Sequence, residues 1–197
     1  YGLTNSPTFS LTFVAPGDSY ATKVMNDNPS AYWRLGESSG TNGATAFDLA
    51  GGHDGTYVVA SAPGYYSTNS LLPGITNPAV EFTGYDGNSG TANACVVVPA
   101  SPVFNQNAPF SVECFHVPFY DGDNDGGVLV SSYSRPSGRQ GWMLAASYNS
   151  VNYDFYLFDG SSSYRQVNSV EHCTPNVLVH EVGVYDGTNA YIYINGA

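Results

Sequence analysis

The segment Asp121-Gly122-Asp123-Asn124-Asp125-Gly126 sets three carboxylates at alternate positions ahead of a glycine, the first half of a calcium loop. Calcium is a hard cation that takes oxygen ligands, so Asp121, Asp123 and Asp125 are the expected metal ligands and calcium the only cofactor the sequence suggests. Ser132 stands where the helix-flanked version of this loop needs a bidentate glutamate, so a polar hairpin tip is the competing reading. Asp48 and Asp54 offer a second carboxylate pair, but both stand in glycine-rich turn contexts, where an aspartate serves the backbone.

Sugar recognition is the other chemistry within reach. Aromatic faces stack on pyranose rings, while amide, hydroxyl and charged groups bond the sugar hydroxyls. Tyr133, Trp142, Tyr148 and Tyr153, with Tyr164 nearby, fall on or beside strands expected in the middle of a sheet, and Arg135 and Arg139 fall on the adjoining loop. Tyr133, Arg135, Trp142, Tyr148 and Tyr153 are therefore the expected ligand-binding residues, with a glycan or cell-surface polysaccharide as partner. The same residue types also build cores, and both roles stay open for Trp33, Trp142 and the tyrosines until faces are assigned.

Catalysis finds less support. Glycoside hydrolysis needs two carboxylates about 5 to 9 Å apart across a cleft. Glu81, Glu113, Glu171 and Glu181 are isolated instead, and each reads as the outward-facing charge of a strand. Cys114 and His116 share a strand face and His172-Cys173 are adjacent, but the paired spacing of structural zinc sites is missing. Core packing for Cys114 and a strand end for His172 fit better. With no Gly-x-Ser-x-Gly elbow either, the chain is expected not to be an enzyme.

The elements that must position these groups are strands. Gly, Pro, Asn and Asp punctuate the chain at the spacing of a sandwich, giving strands over 31–35, 55–60, 79–83, 95–98, 109–119, 127–134, 141–148, 153–158, 163–169, 176–185 and 190–194. Pairing should be antiparallel, because no helical crossovers are present to join parallel strands. One short helix spans Tyr20 to Asn26, capped by Asp18 or Ser19 and ended by Asn28-Pro29. Residues 61–78 read as a long irregular connection. Tyr153, Phe155 and Leu157 alternate with Asp154, Tyr156 and Phe158, as in a strand covered on both sides. Residues 1–17 form an extended arm, with Phe9, Leu11 and Phe13 alternating with Ser10 and Thr12. One apolar face of that arm must dock, and strand addition onto a neighbouring subunit is the expected partnership, within an oligomer or larger assembly.

Composition narrows the partners. Five Lys and Arg against 16 Asp and Glu give a net charge of −11, which repels phosphate backbones and anionic membrane surfaces. No apolar run approaches the ~20 residues of a membrane span. Sixteen tyrosines, 22 glycines and few charges suit an extracellular or virion surface. The three cysteines, Cys95, Cys114 and Cys173, allow either one disulfide and a free thiol or three buried thiols.

Pro29-Ser30-Ala31-Tyr32-Trp33-Arg34-Leu35-Gly36-Glu37 followed by Phe47-Asp48-Leu49-Ala50-Gly51-Gly52-His53-Asp54-Gly55-Thr56-Tyr57 resembles the opening of laminin-G-like jelly rolls of the concanavalin A-like superfamily. Ala79-Val80-Glu81-Phe82, Pro109 to Pro118, Val184 to Thr188 and Tyr193-Ile194-Asn195-Gly196 are similar to later strands of that family, in order. The resemblance spans residues 29–197 and implies an all-β, antiparallel two-sheet β-sandwich, here over residues 18–197. After Asn195-Gly196 the family continues through closing strands that this sequence lacks, so the edge beside 190–194 is expected to be open and the chain to belong to a longer polypeptide or assembly. The expected role is a surface adhesion, decoration or carbohydrate-binding module, such as a phage tail fibre, capsid decoration or bacterial surface protein. A calcium-assisted lectin and an accessory domain of a glycoside hydrolase are the alternatives.

Overall fold

The structure is a computed structural model and describes residues 19–37, 42–59, 65–82, 94–104, 108–118, 127–133, 139–146, 151–161 and 163–197. The arm (residues 1–17), Asp18, Asp121, Asp123, Asp125, Arg135 and Tyr148 lie outside the described residues. The helix α1 (Ser19–Asn26) leads into β1 (Thr45–Ala46), β2 (Gly55–Val59), β3 (Tyr65–Thr68), β4 (Ala79–Phe82) and β5 (Ala94–Val97). A single 3-10 turn at Pro102–Phe104 precedes β6 (Phe110–His116), β7 (Val128–Ser131), β8 (Gln140–Ala146), β9 (Asn152–Asp159), β10 (Tyr164–His172), β11 (Val179–Tyr185) and β12 (Ala190–Ile194). The helix stops where Asn28 takes a left-handed conformation (φ 55°) ahead of Pro29.

Every ladder is antiparallel, as expected of an all-β chain without crossovers. Two sheets make the sandwich, one ordered β10-β9-β8-β7 and the other β12-β11-β6. Cross-strand partners share a face. Trp142 opposite Leu157, Leu144 opposite Phe155 and Ala146 opposite Tyr153 therefore send one set of β8 and β9 side chains into the interior. There they meet Phe110, Val112 and Cys114 from β6 and Val179 and Ile192 from β11 and β12. Gly183 sits on the inner face of β11 because a side chain there would collide with the Phe155 ring, only 2.6 Å from where its Cβ would stand.

Two smaller ladders, β1-β2-β5 and β3-β4, share a separate core of Ala46, Tyr57 and Ala94 with Val80 and Phe82. Phe104 ties it to the sandwich: its ring lies against Trp33 and His53, and its carbonyl accepts from Trp142 Nε1 at 2.7 Å. The segment expected as a strand over 31–35 contributes one isolated bridge, Trp33 with Asp48, because Leu35 turns left-handed (φ 53°). The connection expected to be irregular holds β3, paired along β4. All three cysteines are free, and Cys95 is exposed on β5, which corrects the expectation of a disulfide or of three buried thiols.

Asp48 is a knot, not a ligand. Its Oδ1 accepts from the N–H groups of Tyr32 and Ala50 at 2.7 and 3.0 Å, and its Oδ2 from His53 N–H at 3.1 Å. Asp54 Oδ1 in turn accepts from Asp48 N–H at 2.8 Å. Asp48 is buried, so truncation would strand three backbone donors. Asp48→Ala is expected to cost roughly 2 kcal/mol. Urea unfolding would register this as a lowered midpoint at constant m, and a change below about 0.5 kcal/mol would contradict the account.

Candidate functional site

The four-stranded sheet has a second, outward face built by the same period of two. Met143 and Ala145 on β8 pair with Tyr156 and Asp154 on β9, and Gly141 pairs with Phe158. Tyr164, Gln166 and Asn168 on β10 lie opposite Phe158, Tyr156 and Asp154, so all these positions share that face. Tyr133, just past β7, reaches over the end of it, with its ring 4.8 Å from Phe158. Tyr156 stacks parallel to Phe158 at 5.9 Å, and Tyr164 closes the cluster at 5.6 and 6.0 Å from the two rings. The guanidinium of Arg139 lies 5.6 Å from the centre of the Tyr164 ring, a cation–π distance.

The cluster is layered. Tyr156 and Met143 are buried, whereas Tyr133 and Tyr164 keep 36% and 44% of their surface exposed. Rim rings that rest on buried ones are held in place before any ligand arrives, which lowers the ordering cost of binding. Local backbone explains the arrangement. Gly141, opposite Phe158, has no side chain, which lets the backbone of Ser132 and Tyr133 pass close by, and its φ of 100° is one that other residues rarely adopt. Arg139 is fixed by its backbone, which bonds Ser161 through its N–H and Gly160 through its carbonyl.

Beside the rings lies a polar strip. Asp154 is fully buried and accepts from Asn168 Nδ2 at 2.7 Å and Gln166 Nε2 at 3.1 Å. The carboxylate orients two amides along β10. Apolar rings, oriented amides and a guanidinium suit the two sides of a sugar ring. Among the described residues of this face Asp154 is the one acid, and it is already bonded to the amides.

Of the residues expected to bind ligand, Tyr133 is on this face, joined by Tyr164 and Arg139. Trp142 and Tyr153 are not. Both point into the sandwich, Trp142 bonded through Nε1 to Phe104 and Tyr153 accepting at its hydroxyl from Thr174 N–H at 3.4 Å. Their expected ligand role is corrected to core packing, because the register places them opposite Leu157 and Ala146 on the inner face. Tyr156, Phe158, Asp154, Gln166 and Asn168 escaped notice as site residues, although the alternation of Asp154, Tyr156 and Phe158 was the available signal.

The other polar cluster is interior. Glu181 on β11 is wholly buried, with Oε2 3.0 Å from Nε2 of His116 on β6, and so is not the outward-facing charge expected of it. His172 ends β10 in an exposed position and Cys114 packs in the core, both as expected. Burial, reinforced by Glu181 and Glu113, pushes the Cys114 thiol well above its usual range, leaving it an inert core group. Among the described residues no three His, Cys, Asp or Glu side chains gather as a metal site.

Residues 88–197 match a laminin-G family model described as the concanavalin A-like lectin/glucanases superfamily. No curated protein and no solved structure matches the chain.

Proposed function

The chain belongs to the laminin-G-like branch of the concanavalin A-like lectin/glucanases superfamily, and on that premise we propose that it is a non-enzymatic carbohydrate-binding and adhesion module whose ligand site is the open end of the outward face of β7–β10, at Tyr133, Phe158 and Tyr164. The observation that carries this reading is the ring cluster of Tyr133, Phe158 and Tyr164, half open to solvent, beside the amides of Gln166 and Asn168. The net charge of −11 favours a neutral glycan over an anionic one. An extracellular or virion surface is the setting in which such a face meets polysaccharide, and among the described residues no helix is long and apolar enough to cross a membrane. Calcium enters the proposal only through Asp121, Asp123 and Asp125 on the connection between β6 and β7.

An array of neutral polysaccharides, probed with and without a chelator, tests the reading. Wild type is expected to bind at least one class, and Tyr164→Ala to weaken that binding roughly tenfold, about 1.4 kcal/mol. Tyr164 is exposed enough that its loss should leave thermal stability nearly unchanged. No binding by wild type, or equal binding by Tyr164→Ala, would remove this face from consideration. Binding abolished by the chelator would bring calcium in.

A further inference from the structure

β10 and β12, outer strands of the two sheets, close on each other at the edge of the sandwich, and a shallow groove of about 310 Å³ runs over the closed seam. One wall is β12, where Tyr191 and Tyr193 stand opposite Val184 and Val182 on the same face and are each 41% exposed. The other is the irregular end of β10, where the register slips between Asn168 and His172 and Val170 is left 93% exposed beside Glu171. That irregularity is tied from behind. Asn152 Nδ2 donates to the carbonyls of Ser169 and Glu171 at 3.0 and 3.2 Å, and the Ser169 hydroxyl donates to the Glu171 carbonyl at 2.6 Å. A bulge held by three side-chain bonds re-aims the residues it carries, so Val170 and Glu171 are presented in one place before any ligand arrives. Tyr191 is fixed as well, its hydroxyl donating to Asp186 Oδ2 at 3.2 Å. Glu171 is the one charged residue among those lining the groove.

We propose that this groove binds protonated amino-sugar units of a glycan. The chemistry of its walls selects a cation. Tyrosine faces carry the negative side of the ring quadrupole, Glu171 adds a full negative charge, and no Lys, Arg or His is among the lining residues. The net charge of −11 draws the same sign of ligand toward the surface and repels an anionic sugar. The spacing selects sugar rings. Tyr191 and Tyr193 stand about 7 Å apart along β12, two stacking platforms in line, with Val170 as an apolar wall across the groove. Linked pyranose rings cover both platforms while their ammonium groups reach Glu171; an ammonium on a bare alkyl chain leaves a ring uncovered. Val170 lies six residues along β10 from Tyr164, about 20 Å, so this groove is separate from the ring cluster of Tyr133, Phe158 and Tyr164 and does not rest on its role.

Titration of the whole chain, followed by backbone amide resonances, tests this with three probes at a pH of about 5.5, where free amines are protonated. They are a glucosamine tetramer, its fully N-acetylated counterpart and tetralysine. The glucosamine tetramer is expected to shift the signals of Glu171, Tyr191 and Tyr193 with a dissociation constant of about 1 mM or below. The acetylated tetramer keeps the rings without the charge, and tetralysine keeps the charge without the rings; each should bind at least tenfold more weakly. Glu171→Gln and Tyr193→Ala should each weaken the glucosamine tetramer about fivefold or more while leaving thermal stability nearly unchanged, since both side chains are exposed. Tyr164→Ala should leave this binding as it is, which separates the groove from the other face. Four results overturn the proposal: no shift at these residues, equal binding of the acetylated tetramer, equal binding of tetralysine, or binding that neither groove variant alters.

Discussion

Glu181→Ala is expected to destabilise the fold by about 3 to 4 kcal/mol, through a core cavity and an imidazole left without its partner. Glu181 is wholly buried on the central strand of its sheet, and among the described residues its Oε1 and the Nδ1 of His116 have no hydrogen-bond partner, so the contact between Oε2 and Nε2 is what satisfies the pair. Burial, with the charge of Asp154 adding to it, pushes the Glu181 carboxyl up to about 9, and burial pushes His116 down to about 4. At neutral pH the two hold one proton between them, with Oε2–H donating to Nε2. The sign of the pH dependence follows. Between the ordinary histidine value of 6.5 and about 9 the folded chain keeps a proton that the unfolded chain has lost, so stability falls as pH rises. Between 4.5 and 6.5 both states hold one proton, and the pair contributes no slope. Below that window the unfolded chain takes up a second proton, and stability falls again toward acid. Glu181→Gln keeps an amide beside Nε2 but cannot titrate, so its urea midpoint should be level from pH 6.5 to 8, below the range where the buried Cys114 thiol adds a slope of its own, whereas that of wild type declines. Parallel profiles for the two proteins would refute this account.

That pair also shows where the sequence was ambiguous. In Val179-His180-Glu181-Val182-Gly183-Val184, either phase of the alternation offers apolar residues. Propensity favours burying Val182 and Val184, yet the structure turns Val179, Glu181 and Gly183 inward because only a glycine admits the Phe155 ring. A constraint from the opposite sheet decided the phase, and nothing local encodes it. β9 was legible for the converse reason: both of its phases are aromatic and both of its faces are buried, so an error of phase would not have hidden the strand. The sequence leaves the faces of Trp142 and Tyr153 open because their neighbours Met143 and Asp154 are buried as well, which removes the usual contrast of polar outside and apolar inside. Punctuation by Gly, Asn and Asp located most strand boundaries to within a few residues. It failed at β3, whose partner β4 lies across a connection rich in the same turn residues.

The dependence of the aromatic face on one backbone position leads to the other large expected effect. Gly141→Ala is expected to cost about 3 to 5 kcal/mol and to weaken glycan binding together with stability. Alanine at a φ of 100° is strained by about 1 to 3 kcal/mol. Its Cβ would also run into the Ser132 carbonyl oxygen, which is backbone and cannot swing aside. Relief requires the end of β7 to move, a further 1 to 3 kcal/mol by analogy with overpacked cores. Gly187→Ala supplies the control, since its φ of 96° is similar but its Cβ would meet only Pro109, at 3.4 Å. That substitution should cost the strain alone. If chemical denaturation gives equal losses for the two, the collision at Ser132 is absent and the explanation fails. Movement at Ser132 carries its neighbour Tyr133 off the Phe158 ring, so Gly141→Ala and Tyr133→Ala should not add in glycan affinity: with the ring already displaced, removing it costs nothing further. Full additivity would mean that Tyr133 contributes to binding without resting on Phe158, and the layered arrangement of the face would then have no part in recognition.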